Sequence, residues 1–207
     1  MAHVVLVSGI PRAGKSSFCD AIEAAREGFT HVPLDRYVRP VPAATHFLNW
    51  IASPNCIAWD HLRSHLAILE SGEPCYSPRP AWEGGWRSWI SAGGAIADGP
   101  GRRMEPACRA YLVAGTHAFA FAAMPRPMRV FVHTPGEVIA ERLTGTRVDP
   151  ATAERVISRG LAPNTAAVRQ DVHAADLVID GTAHRSTQVR EFLAAFTEFF
   201  APSAPAP

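Results

Sequence analysis

The residues with the clearest chemical purpose are Gly9-Ile10-Pro11-Arg12-Ala13-Gly14-Lys15-Ser16, with Ser17 behind them. In a Gly-x-x-x-x-Gly-Lys-Ser loop the glycines let the backbone wrap closely round a phosphate, while amide N–H groups and a helix N-terminus face its charge. The lysine reaches the β and γ oxygens, and the serine hydroxyl binds Mg²⁺. Gly9, Pro11, Arg12, Ala13, Gly14, Lys15, Ser16 and Ser17 are therefore expected to hold a nucleoside triphosphate, with Ser16 on the metal. Of the 20 basic residues, 19 are Arg and Lys15 is the one Lys. A flexible point cation stands where this chemistry wants one. With no second Lys there is no Asn-Lys-x-Asp element for reading guanine, so phosphoryl transfer is favoured over GTPase switching.

Transfer also needs a positioned acceptor, a metal and cations that spread the charge of the moving group. Asp35 follows an apolar run and is placed to accept the proton of an attacking hydroxyl; a turn or N-cap role competes. Arg142, Arg147, Arg155 and Arg159 fall on helical patterns where a lid would close over the triphosphate, Arg142 and Arg147 being the preferred catalytic pair. The bland alternative is a solvated helix face. Trp82, Trp86 and Trp89 lie in a turn-rich stretch, and Trp82 is the substrate-contact candidate, while packing within a hairpin accounts for at least two of the three.

The elements that must position these residues follow from periodicity. His3 to Ser8 is a β-branched apolar run, and Gly14 to Arg26 has apolar residues at helical spacing, giving strand, glycine turn and helix. Phe29 to Leu34 predicts a second strand that delivers Asp35. Asp60 to Leu69 predicts a helix with Leu62, Leu66 and Leu69 on one face and a stop at Gly72, which makes Asp60 a natural N-cap. Residues 73–105 predict a hairpin or lid beside the acceptor, and 142–160 the lid candidate. Ala110 to Ala114, Arg129 to His133 and Asp176 to Ile179 predict further buried strands, with a helix over Ser186 to Phe200. This alternation means α/β: a central parallel sheet of about five strands flanked by helices.

The bulk properties fit one domain over residues 1–200, with 201–207 as a disordered Pro/Ala tail. A net charge of +1 and 47% hydrophobic residues argue against a nucleic-acid surface and against disorder. No apolar run approaches the ~18 residues of a membrane span, and the first residues lack a signal-peptide pattern. The expectation is a cytoplasmic protein with a small hydroxylated acceptor as partner, neither nucleic acid nor membrane, and a homo-oligomer is compatible with it. Cys19, Cys56, Cys75 and Cys108 are dispersed, without metal-ligand or disulfide patterning.

Asp35-Arg36-Tyr37-Val38-Arg39-Pro40 resembles the Asp-x-Phe/Tyr segment after the second strand of uridine kinase-like enzymes, a group that includes phosphoribulokinase. Trp59-Asp60-His61, with Leu66, Leu69 and Gly72-Glu73-Pro74 behind it, is similar to that family's Asp-His-Pro segment, helix and Gly-x-Pro turn. Tyr111 to Gly115 and Ala175 to Ile179 occupy the places of two later strands, so the resemblance spans about residues 3 to 181. It implies a three-layer P-loop kinase fold, ATP with Mg²⁺ as donor and a nucleoside-like acceptor. It also implies Asp35 as general base, and Asp60 with His61 and Tyr37 on the acceptor.

Four departures limit that implication. Ala114 stands where the family has a Glu that helps hold magnesium, leaving Asp35, or His117 with solvent, to do that work. Leu62 replaces the Pro of Asp-His-Pro. Pro78 to Trp82 lacks the family's Tyr-Asp-Phe-like sequence, and no base-reading His is found, which argues against plain uridine or cytidine. The lid lacks the full Arg-Asp spacing, although Arg147-Val148-Asp149 echoes it. The leading expectation is a kinase acting on a nucleoside-like or similar small polar metabolite. Its rivals are a phosphotransferase modifying an antibiotic or secondary metabolite, and a nucleotide-binding regulatory protein impaired in catalysis.

Overall fold

The computed structural model describes residues 2–42, 45–79, 101–121, 126–147, 149–161, 165–166, 168 and 170–201. Five strands, β1 (His3–Ser8), β2 (Phe29–Pro33), β5 (Ala110–Ala114), β6 (Met128–His133) and β7 (Leu177–Asp180), form one sheet in the order β2-β5-β1-β6-β7. Every pairing is parallel. The interior strands β1 and β5 read as near-continuous apolar runs because helices cover both faces; all of β5 is buried, as is all of the edge strand β2. At the edge, β7 alternates, with Val178 facing out.

On one face Val5, Val7, Leu112 and Val130 pack against α1 (Lys15–Ala25) and a C-terminal helix over Arg185–Phe199. Helix α1 turns Phe18, Cys19 and Ile22 inward at the i, i+1, i+4 spacing of a buried stripe. Phe18 and Phe29 meet Phe192 edge-on, with centroids 5.7 and 5.8 Å away. On the other face Val4, Leu6, Tyr111 and Val113 pack against Leu62, Leu66 and Leu69 of α3 (Trp59–Glu70) and against Leu34 and Tyr37. Helices α4 (Gly136–Thr144) and α5 (Pro150–Gly160) pack on one another between β6 and β7, and the Arg185–Phe199 helix is α6. The result is the expected three-layer α/β arrangement.

Register brings Ser8, Pro33, Ala114, His133 and Asp180 to one edge of the sheet. The loops leaving that edge build the site, and β1 stands at its centre with connections departing to either side. A short antiparallel pair, β3 (Cys75–Tyr76) with β4 (Arg103–Met104), is continued by Ser77 N–H to Arg102 O at 2.9 Å, and lies within the segment expected to form a hairpin or lid. The remainder of that segment, 80–100, including Trp82, Trp86 and Trp89, lies outside the described residues. A small helix α2 (Phe47–Ile51) lies in the excursion closed by the Val38–Ile57 bridge. No helix among the described residues is long and apolar enough to cross a membrane.

Candidate active site

The phosphate loop leaves β1 through a backbone that only its own residues tolerate. Gly9 has φ +146°, and a Cβ there would stand 2.6 Å from the carbonyl oxygen of Val132. The loop then turns with Ala13 N–H donating to Ile10 O at 3.1 Å and Arg12 in the left-handed region at φ +68°. Gly14, at φ +103°, starts α1 without a side-chain cap, and no acidic residue occupies the first turn. The N–H groups of that turn and the positive end of the helix are left for an anion. Lys15 Nζ donates to the carbonyls of Gly9 and Ile10 at 2.8 and 2.9 Å, closing the loop on itself. Burial lowers the Lys15 pKa to about 8, against the opposing pull of Asp35.

A cleft of about 680 Å³ opens over this loop. It is lined by Arg12, Gly14, Lys15, Ser16, Arg142 and Arg185, by Asp35, Ala114 and His117, and by an apolar wall. Asp35 lies in the 3-10 turn Leu34–Tyr37 that follows β2. The carboxylate reaches solvent through the cleft yet is crowded by protein; burial pushes its pKa up, while Lys15, then Arg36 and His31, pull it down. Arg142, at the end of α4, donates to Arg12 O and Ala13 O at 2.9 and 3.1 Å and to Gly181 O at 3.0 Å, strapping that helix to the loop. His117 Nε2 donates to Ile51 O at 2.7 Å, and burial lowers its pKa.

Lys15, Ser16, Asp35 and Arg142 are thus brought to one cleft, as are Pro11, Arg12, Gly14 and Ser17. Other candidates are placed elsewhere. Tyr37 is 1% exposed and its hydroxyl lies 2.9 Å from His65 Nδ1, because in a tight 3-10 turn residues two apart face different ways. Helix α3 starts at Trp59 with Ala58 as N-cap, so Asp60 is not the cap but a first-turn residue, ion-paired with Arg63 at 2.8 Å and outside the cleft lining. His61 stacks near His65, with centroids 6.0 Å apart, also outside the lining. Arg147 points to solvent, its Nε 3.8 Å from Glu141. Arg155 bonds to Thr152 within its own helix.

Two features escaped the reading of the sequence. Arg185, the first residue of α6, lines the cleft beside Arg142, and both guanidinium groups come within 3.5 Å of the point where a Gly14 Cβ would be. Arg142 lowers its pKa further after burial has done so, and the buried Gln188 accepts from its Nη1 at 2.5 Å. Its position after the turn that leaves β7 was the available signal, since that turn departs from the same sheet edge. Ser8, the last residue of β1, donates to Asp171 Oδ2 at 2.5 Å beneath the loop, a pairing across 163 residues that no local pattern marks.

Fold and loop define the class: a three-layer parallel α/β protein built around a P-loop. No family model matches the chain, and no curated protein matches it. Among solved structures it is similar to a gluconokinase from Sinorhizobium meliloti 1021, at 18% identity over 95% of this chain and 92% of that one, with a TM-score of 0.43. It is also similar to a possible uridine kinase from Bacillus stearothermophilus, at 11% identity over 86% and 89%, with a TM-score of 0.45. The YGR205w protein superposes at a TM-score of 0.53, with 10% identity over 87% of this chain and 86% of that one. That last likeness shows a shared fold.

Proposed function

We propose that the chain is a kinase that transfers the γ-phosphoryl group of ATP to a hydroxyl of a small-molecule acceptor. The observation that carries this reading is the meeting of Lys15, Ser16, Asp35 and Arg142 on one cleft at the C-terminal edge of the sheet. The loop amides and the α1 N-terminus take the phosphates, and Lys15 exchanges the carbonyls of Gly9 and Ile10 for phosphate oxygens. Arg142 and Arg185 add positive charge where the transferring group becomes most charged.

For Mg²⁺ the donor set fits: one hydroxyl, Ser16, and one carboxylate, Asp35, share the cleft, and this ion takes few protein oxygens beside phosphates and water. When bound, the ion neutralises charge on the phosphate oxygens. Ala114 lines the cleft and offers no carboxylate, so Asp35, or His117 through solvent, is the remaining protein group on that side. In the reaction the acceptor oxygen bonds to the γ phosphorus, the bond from that phosphorus to the bridging oxygen breaks, ADP leaves, and the hydroxyl proton passes to Asp35. Burial that raises the carboxyl pKa makes Asp35 a stronger base than a free aspartate.

The test is transfer of labelled γ-phosphate from ATP to a panel of hydroxylated metabolites, by wild type and by Asp35→Asn. The variant is expected to bind ATP normally and to lose about 10²–10⁴-fold in kcat. Equal, negligible turnover of both across the panel would leave a nucleotide-binding protein without transfer. A phosphotransferase acting on an antibiotic or secondary metabolite is the second reading, favoured by the apolar residues that line the cleft.

A further inference from the structure

Resting on the kinase reading above, we infer that the acceptor is an alcohol carried on an apolar body, with one hydroxyl to present to Asp35, rather than a polyol, sugar acid or nucleoside. The apolar wall of the cleft is made by Leu34, Val38, Ile51, Cys56, Ile57 and Ala114. Among the described residues its polar side chains are Asp35, Thr116 and His117, and the His117 Nε2 hydrogen is already given to Ile51 O. Burial pushes the Cys56 thiol up to about 12, so it stays neutral and serves as part of the apolar surface.

Along the Val38 to Ile57 excursion much of the backbone is already paired. The Val38–Ile57 bridge, Arg39 N–H to Cys56 O at 2.7 Å and Ala58 N–H to Tyr37 O at 2.8 Å pair this wall with itself. The amides of Cys56 and Ile57 turn back to Ser53 O and Pro54 O at 3.0 and 3.2 Å. Among the described residues the cations that line the cleft are Arg12, Lys15, Arg142 and Arg185; Arg142 and Arg185 flank Gly14, and Lys15 is tied to the carbonyls of Gly9 and Ile10. A polyol bound against this wall would bring several hydroxyls out of water with Asp35, Thr116 and the second ring nitrogen of His117 to meet them, and each hydroxyl left unpaired weakens binding by roughly tenfold. An acceptor carboxylate would face the Asp35 carboxylate, whose charge Lys15 and Arg36 already hold. An apolar body, by contrast, gains from the same wall.

The experiment compares kcat/KM for phosphoryl transfer from Mg-ATP to phenethyl alcohol, cinnamyl alcohol and geraniol with that to gluconate and uridine. At least one apolar alcohol is expected to exceed both polar compounds by tenfold or more. Val38→Thr, which places a hydroxyl in the wall with little change of shape, and Ile51→Thr, which does so with one heavy atom fewer, are expected to raise KM for that alcohol about five- to tenfold while kcat changes less than twofold. Efficient phosphorylation of gluconate or uridine above all three alcohols overturns the acceptor class and leaves the kinase reading standing. An unchanged KM in both variants overturns it as well. If none of the five compounds accepts phosphate, the acceptor class falls; the kinase reading falls separately, on the wider panel and Asp35→Asn.

Discussion

At the scale of single residues, Lys15 ties nucleotide binding to pH. Its folded pKa of about 8 lies below the ordinary 10.5, so between those values the unfolded chain holds a proton that the native one has lost. The stability of the nucleotide-free protein is therefore expected to rise with pH across this window, read as a rising urea midpoint. ATP needs the ammonium form, so affinity should be full below about pH 8 and fall above it, with a proton taken up on binding. Calorimetry in two buffers of different ionisation enthalpy reads that proton, and an affinity that stays flat to about pH 10 would remove Lys15 from the phosphates. Gly9→Ala should cost about 1–3 kcal/mol in denaturant titration and abolish nucleotide binding, because a Cβ has no room against Val132 O at 2.6 Å and the backbone stands at φ +146°.

At the scale of elements, a polar cluster fastens the β3–β4 stem to the sheet. Arg102, at the foot of β4, pairs with Asp20 at 2.8 Å and with Glu23, both on α1, while His31 on β2 lies 2.8 Å from Asp20 through Nδ1. The hydrogen bond from His31, then Arg102, holds the Asp20 carboxyl down at about 2. Its contribution is thus present above the unfolded value near 3.8 and lost as pH falls towards 2. The Asp20 side chain is half exposed, so Arg102→Ala is expected to cost only about 1 kcal/mol at neutral pH. The gap between variant and wild type should narrow below about pH 4, and a gap that is constant down to about pH 2 would show that the cluster does not titrate with Asp20. Helices α1 and α3 and strand β2 were legible in the sequence to within a residue or two, whereas β3 and β4 fall in a stretch read only as a hairpin or lid over 73–105. The shift of the N-cap from the expected Asp60 to Ala58 mattered most, because it moved Asp60 into the first turn of α3.

At the scale of the whole molecule, stability rests on two apolar layers either side of one sheet, and the cleft exists because that sheet aligns its strand ends. Phe192, fully buried against Phe18 and Phe29, joins α6 to α1 and β2; Phe192→Ala should cost about 3–5 kcal/mol in a urea titration. A cost under about 1 kcal/mol would mean that the layer repacks around the gap. The sequence by itself determined the phosphate loop and the parallel α/β architecture. The loop's requirements are met within eight consecutive residues between a strand and a helix, and buried strands announce themselves by apolar runs. Which distant side chains share the cleft was decided only by tertiary structure. Asp35, His117, Arg142 and Arg185 line it, while Tyr37, Asp60, His61 and Arg147 do not. The reason is geometric: membership depends on strand register and on rotation about each element, and a shift of one residue turns a helical side chain by about 100°. Spacing along the chain carries no record of that angle until the layers have packed.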